Sequence, residues 1–281
     1  MTSSISIIKS GSHLVTGTIG TYHDHGAVYK LTRPNGDLLA VAVVADGGMS
    51  PKQGHFAANT AVDTLLAYLQ KSNTKQIQTL LEEALQAANS AVYELAEKQE
   101  GTRCSIAVAV IHNQNRLYIA QVGTCRIYFV RDSKITQVSL DHTADSLISI
   151  QSDQDEDTAR YAAALGLQKA IQVDIGYHID SNIEVDKAIF EEAQLRGQNG
   201  LPLHNKDSIL LSTDGIIGEN GPLIQDDEIV QVLNAQSGNR AARGLVSFAL
   251  GREIEDNLAI ALLQKQPTPA VIPYTLSLIH I

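Results

Sequence analysis

Residues 38–45, LLAVAVVA, are apolar at every position, and the run stops at Asp46 in VAVVADGG. Such a run predicts a strand buried on both faces. The loop GGMSPKQG then leads into HFAANTAVDTLLAYLQ, whose apolar spacing predicts a helix, and a second helix is expected from about residue 77 to 99. Residues 11–30, rich in Gly, Thr and His, read as short strands joined by loops. From SIAVAVI through RLYIAQVG, RIYFVRD and KITQVSL the period falls to two, predicting an antiparallel meander paired edge to edge into one broad sheet.

Between residues 145 and 205 the pattern weakens into SDQDEDTARYAAALG, the strand-like IQVDIGY and a loop-rich LRGQNGLPLHNK. This predicts a flap-like insertion over one edge of the core, where substrate-facing loops commonly sit. Order returns at SILLSTDG, continues through two helices, DDEIVQVLN and NRAARGLVSFALG, and closes on the strand NLAIALLQ. In the second of these helices Ala241, Leu245 and Phe248 recur at i, i+4 and i+7, so this face is expected to lie against a sheet. Pro267, Pro269 and Pro273 exclude regular structure in the tail, 266–281. Strands too numerous for a doubly wound sheet, with helices in two blocks, predict one α+β domain over residues 1–265 in which sheets pack face to face under helices.

The 281 residues are 44% hydrophobic and 19% charged, as in a soluble globular protein, and no run of apolar residues reaches the roughly 18 needed to span a bilayer. The first residues lack a convincing signal peptide, so a cytoplasmic protein is expected. A net charge of -10 and an aromatic content of 5% without Trp argue against nucleic acid as a partner. With that charge, a phosphate-ester substrate would need metal ions to supply positive charge. Cys104 and Cys125 are too few for a sulfur-rich metal site; buried free thiols are expected, a cross-strand pair being the alternative.

Three aspartates carry the candidate chemistry: Asp46 in VAVVADGG, Asp214 in ILLSTDG and Asp256 in EDNLAIALL. Each ends or precedes an apolar run beside Gly or Asn. Asp-Gly and Asp-Asn are common turn formers, which is the plain explanation for any one of them. Three together at strand ends point instead to a shared site for a hard divalent cation, because a carboxylate placed there is held firmly yet reaches solvent.

The stretches VAVVADGG, GTRCSIAVAV, LYIAQVGTCRIYFVR with ITQVSLDHT, ALG at 164–166, DSILLSTDGI and EDNLAIALL resemble, in order and spacing, the metal-dependent serine/threonine phosphatases of the PPM or PP2C family. The resemblance covers roughly residues 11–264. It implies a four-layer α-β-β-α sandwich with a binuclear Mn²⁺ or Mg²⁺ centre at one end, and a phosphorylated protein as substrate. By residue, Asp46 resembles the bridging aspartate, the carbonyl of Gly47 the ligand beside it, and Asp214 and Asp256 the remaining aspartates. Together they would act through bound metal and water, with one or two ions present. A monomer is expected.

The departures from the family pattern bear on activity. Where the family carries an arginine followed by Asn-Glu-Asp, this chain has GTIGTYHDHGAVYKL. By spacing, His23 occupies the arginine position, and Ala27 and Val28, which cannot bind metal, occupy the acidic pair. VGTCR replaces VGDSR, placing Thr124 where an aspartate commonly supports a third metal. His23, Asp24, His25 and Arg103 are candidates to compensate. Arg126 and the Asp141-His142-Thr143 signature are expected to stabilise a turn. Two functions therefore stand: a divergent phosphatase for phosphoserine and phosphothreonine, or a pseudophosphatase that binds a protein partner without turnover.

Overall fold

The computed structural model describes residues 7–17, 22–47, 51–96, 102–139, 141–142, 200–218, 221–252 and 254–267. Two five-stranded antiparallel sheets form the centre. The first, in spatial order, contains β1 (Ile7–Val15), β12 (Leu258–Gln266), β9 (Ser208–Ser212), β6 (Arg126–Arg131) and β7 (Lys134–Gln137). In the second lie β2 (His25–Thr32), β3 (Leu38–Asp46), β4 (Ser105–His112), β5 (Arg116–Val122) and β8 (Leu201–Pro202). A short pair, β10 (Ile217–Gly218) and β11 (Gly221–Pro222), stands apart. Helices α1 (Pro51–Lys71) and α2 (Ile77–Ala96) cover the second sheet, while α3 (Asp226–Ala235) and α4 (Asn239–Leu250) cover the first. The α+β sandwich with flanking helices is thus the fold.

Burial on both faces explains why the central strands lack polar alternation. Along β12, Ala259, Ala261 and Leu263 enter the core between the sheets, while Leu258, Ile260 and Leu262 enter a second core under α3 and α4. The two-residue period survives; it sorts residues between two apolar layers rather than between core and water. β9 divides in the same way, with Ile209 and Leu211 on one side and Leu210 on the other. Leu262 is fully buried, so truncating it to alanine would cost about 2–5 kcal/mol.

Local signals set the helix ends. α1 begins at Pro51, four residues before the apolar spacing becomes evident, because proline at the first helical position sacrifices no hydrogen bond. α3 opens on a capping box, with the Gln225 amide donating to Glu228 Oε2 at 2.9 Å, and Asp226, Asp227 and Glu228 complement the helix dipole.

One expectation is corrected. The period-two run is not a single meander: β4 and β5 form a hairpin in the second sheet, whereas β6 and β7 form one in the first. The chain changes layers at residues 123–125, where Gly123 adopts φ +95. Alternation reports how a strand's faces are buried and is silent about its partner. Cys104 and Cys125 are buried free thiols. The proposed insertion falls largely outside the described residues, as do ALG at 164–166, Thr143 and all of the tail beyond Pro267.

Candidate metal centre

Strand direction brings four carboxylates to one end of the sandwich. β3 ends on Asp46, and β2, antiparallel to it with His25 opposite Ala45, starts just after Asp24. In the other sheet β9 runs out at Ser212 ahead of Asp214, and the adjacent β12 starts just after Asp256 and Asn257, with Ile260 opposite Ser212. Each sheet therefore contributes two acids. Close approach needs glycine: a Cβ on Gly215 would fall 1.8 Å from the Asn257 carbonyl oxygen, and one on Gly54 of α1 would fall 1.9 Å from the Gly47 carbonyl oxygen.

Asp214 is within hydrogen-bonding reach of Asp46, and burial together with Asp46, Asp256 and Asp24 holds its carboxyl well above the usual range. Asp24, 5% exposed, is pushed up to about 6, chiefly by burial and then by Asp46, against the opposing pull of His23 and Thr213. Both shifts have one physical origin: carboxylates crowded out of water resist ionising together. His23 is shifted upward, first by its contact with Asp24 and further by Asp256 and Asp46. Its Nδ1 lies 3.4 Å from Asp24 Oδ1, and its Nε2 lies 3.7 Å from Asp256 Oδ1 and 2.7 Å from Asn257 Nδ2.

Among the described residues, ligand atoms of His23, Asp24 and Asp46 lie within 4.8 Å of one another, a separation that a single cation can bridge. Asp24 Oδ2 and Asn257 Oδ1 are buried without a hydrogen-bond partner, which is costly unless something else satisfies them. Asp256, with 47% of its side chain exposed, opens the cluster to solvent and accepts from the Asn257 amide at 2.7 Å. These donors fit a divalent cation.

The structure revises the reading of the N-terminal segment. Ala27 and Val28 lie within β2 opposite Val43 and Ala42, three and four residues along the strand from Asp24, or roughly 10 Å and more from the level of Asp46. The acid that this segment contributes is Asp24, with His23 beside it. His25 instead bonds Asn59 of α1 through Nδ1 at 2.9 Å, and Arg103 is exposed ahead of β4. Thr213 and Asn257, which residue patterns did not single out, latch the centre: Thr213 exchanges two hydrogen bonds with Ala259, at 3.1 and 3.0 Å. Their only signal in the sequence is adjacency to Asp214 and Asp256.

A family model described as protein phosphatase 2C matches residues 24–248. The chain belongs to that family. The serine/threonine phosphatase stp of Listeria monocytogenes serotype 4b is 24% identical over 254 residues, covering 87% of this chain and 90% of that protein. The solved serine/threonine phosphatase of S. agalactiae superposes with TM-score 0.70 at 19% identity, over 92% of this chain and 99% of that one. Mycobacterium tuberculosis PstP/Ppp gives 0.67 at 18% identity, again over 92% and 99%. A PstP catalytic domain solved in complex with 2 manganese ions gives 0.65 at 19% identity, over 93% and 100%. The structural likeness is one of fold.

In this phosphatase 2C member the VGTCR turn is uncharged from Gly123 to Cys125 and ends on the charged Arg126. Thr124 is buried; its amide donates to Ser105 Oγ at 3.2 Å and the two hydroxyls lie 3.4 Å apart. Gly123 is bracketed by His142, whose Nδ1 accepts from the Gly123 amide at 3.3 Å while its own amide donates to the Gly123 carbonyl at 3.0 Å. Arg126 forks onto both oxygens of Asp141, with Nε 3.1 Å from each. These contacts stabilise the crossover between the sheets. No helix among the described residues is long and apolar enough to cross a membrane.

Proposed function

We propose that this chain is a divergent metal-dependent phosphatase that removes phosphate from phosphoserine and phosphothreonine in proteins, acting in the cytoplasm as a monomer. The observation that carries the reading is the convergence of Asp24, Asp46, Asp214 and Asp256, two from each sheet, with Asp24 Oδ2 buried and unpaired. Asp24 supplies an acid that motif spacing counted as lost. His23, Asp24, Asp46 and Asp214, with the Gly47 carbonyl, would hold one or two Mn²⁺ or Mg²⁺ ions, and Asp256 would complete the set from the solvent side. A bound ion supplies a water of lowered pKa and positive charge to receive the phosphoryl oxygens.

The chain's own contribution is positioning. Thr213 and Asn257 hold the two first-sheet acids in register, and Gly47, pressed between Gly54 and the His23 carbonyl, fixes the carboxylate that precedes it. His23 changes the expected metal preference. Imidazole is a poor ligand for Mg²⁺ but acceptable to Mn²⁺, so a donor set containing it favours manganese.

The pseudophosphatase reading draws on Thr124. This buried hydroxyl, bonded to Ser105, offers no carboxylate where the family commonly has one. Hydrolysis of a small aryl phosphate, with and without Mn²⁺, by the unmodified chain and by Asp46→Ala separates the two. Turnover that requires both manganese and Asp46 supports the enzyme. Calorimetric Mn²⁺ binding without turnover supports the pseudoenzyme.

A further inference from the structure

His23 and Asn257 lie far apart in the chain, yet their side chains touch in the interior, where His23 is 4% exposed and Asn257 1%. Neither is fully satisfied there. His23 Nδ1 and Asn257 Oδ1 are both buried without a hydrogen-bond partner, and so is Oδ2 of Asp24, the acid that His23 faces. Buried polar atoms ordinarily find partners, so three orphans on adjoining side chains point to a bound group that satisfies them.

The two ring nitrogens of His23 are not equivalent. Nε2 lies 2.7 Å from the Asn257 carboxamide, which donates to a bare Nε2 or accepts from a protonated one according to how it is turned. Either way that nitrogen is taken. Nδ1 faces Asp24 Oδ1 at 3.4 Å without a hydrogen bond between them. Two ligands at right angles on an ion, each about 2.1–2.2 Å from it, stand about 3 Å apart, so this spacing suits a shared cation. A ring that ligates through one nitrogen carries its proton on the other and needs an acceptor for it. Asn257 Oδ1 becomes that acceptor once the carboxamide turns over. The backbone beneath it is pinned: the Asn257 amide donates to Asp256 Oδ1 at 2.7 Å, and a Cβ on Gly215 would fall 1.8 Å from the Asn257 carbonyl oxygen.

We propose that Asn257 is a positioning residue that holds His23 with Nε2 occupied and Nδ1 free to ligate, and thereby gives the site its preference for manganese over magnesium. The assignment rests on the metal-dependent reading above and deepens it by naming the ring nitrogen that serves and the group that orients it. Without the carboxamide, Nε2 would be left to Asp256, whose Oδ1 is 3.7 Å away, and the ring would lose its fixed angle to Asp24. Magnesium gains little from an imidazole, so the loss falls on manganese.

Calorimetry on the full chain measures Kd for Mn²⁺ and, separately, for Mg²⁺. Asn257→Ala should raise the Mn²⁺ Kd roughly tenfold, the scale on which losing a group that orients a ligand weakens a metal site, and change the Mg²⁺ Kd less than about threefold. His23→Ala should show the same selective loss. The double substitution should lose no more than the larger single one, because both remove one interaction. Equal weakening of both ions by Asn257→Ala, an unchanged Mn²⁺ Kd, additive losses, or an unmodified chain that binds no Mn²⁺ would overturn the assignment. If a thermal melt shows that Asn257→Ala does not fold, nitrogen NMR of the unmodified chain carrying isotope-labelled histidine decides, with Zn²⁺ as a diamagnetic probe. The His23 signals, identified by their loss in His23→Ala, should report metal on Nδ1 and the proton on Nε2; the reverse arrangement, or a ring indifferent to the ion, overturns it. No readout uses turnover, so a chain that passes these tests and hydrolyses no phosphate ester fails as a phosphatase alone.

Discussion

Replacing Asp24 by asparagine should stabilise the metal-free protein while weakening its response to manganese. The folded state raises the Asp24 carboxyl from its ordinary 3.8 to about 6, so the metal-free fold favours the protonated acid. Stability is therefore lost as pH rises from the unfolded value through the folded one, and above pH 6 the whole penalty is present. About two pH units correspond to on the order of 3 kcal/mol. Asparagine keeps an oxygen for Thr213 but forfeits the attraction of His23 for a carboxylate, which offsets part of the gain. His23 behaves in the same direction: its raised pKa contributes stability below its ordinary 6.5 that disappears as pH climbs through the folded value.

The assay is thermal unfolding of chelator-treated protein at pH 5 and pH 8, before and after Mn²⁺ is added. At pH 8 without metal, Asp24→Asn should melt higher by roughly 2–6 °C, and at pH 5 the difference should shrink. Saturating Mn²⁺ at a hundred times Kd should add about 2.7 kcal/mol to the unmodified chain and markedly less to the variant. The combination is distinctive, since a purely structural aspartate would give a variant that is less stable at both pH values. A lower melting temperature for metal-free Asp24→Asn at pH 8, together with an unchanged manganese response, would refute the crowded-carboxylate argument.

Other consequences are as direct. His23→Glu exchanges an imidazole for a hard oxygen donor, and calorimetry should find Mg²⁺ bound roughly tenfold more tightly than by the unmodified chain; weaker Mg²⁺ binding would count against His23 as a member of the donor set. Gly123→Ala should cost about 2–3 kcal/mol in urea unfolding, because φ is +95 and the new Cβ would meet Ser105 Oγ at 2.2 Å and Ser105 Cα at 2.9 Å. Cys104 and Cys125 should resist a thiol reagent at pH 8 in the native state and both react in denaturant. They are buried, and burial aided by nearby Asp46 pushes the Cys125 thiol well up. Rapid native labelling of Cys125 would contradict this.

Much of the candidate centre is legible along the chain, though unevenly. Asp46, Asp214 and Asp256 stand out because each interrupts or precedes an apolar run at a strand end, and strand ends are where a rigid scaffold can present a carboxylate. Asp24 is harder to read. No long apolar strand adjoins it, and counting along a motif moved the acidic pair to Ala27 and Val28. The pairing of His25 with Ala45 puts Asp24 level with Asp46. Register is a property of two strands together, so neither strand's sequence states it alone.

The amino-acid sequence by itself determined the long strands and helices among the described residues, that several strands are buried on both faces, and that three acids lie at strand ends. These are local consequences of periodicity and turn chemistry. Only the tertiary structure decided that β4–β5 and β6–β7 belong to different sheets, that a fourth carboxylate and His23 join the cluster, and that His25 turns to α1 instead. Those outcomes depend on which faces meet across the sandwich, a choice made by burial of the whole apolar surface at once rather than by any one stretch of chain.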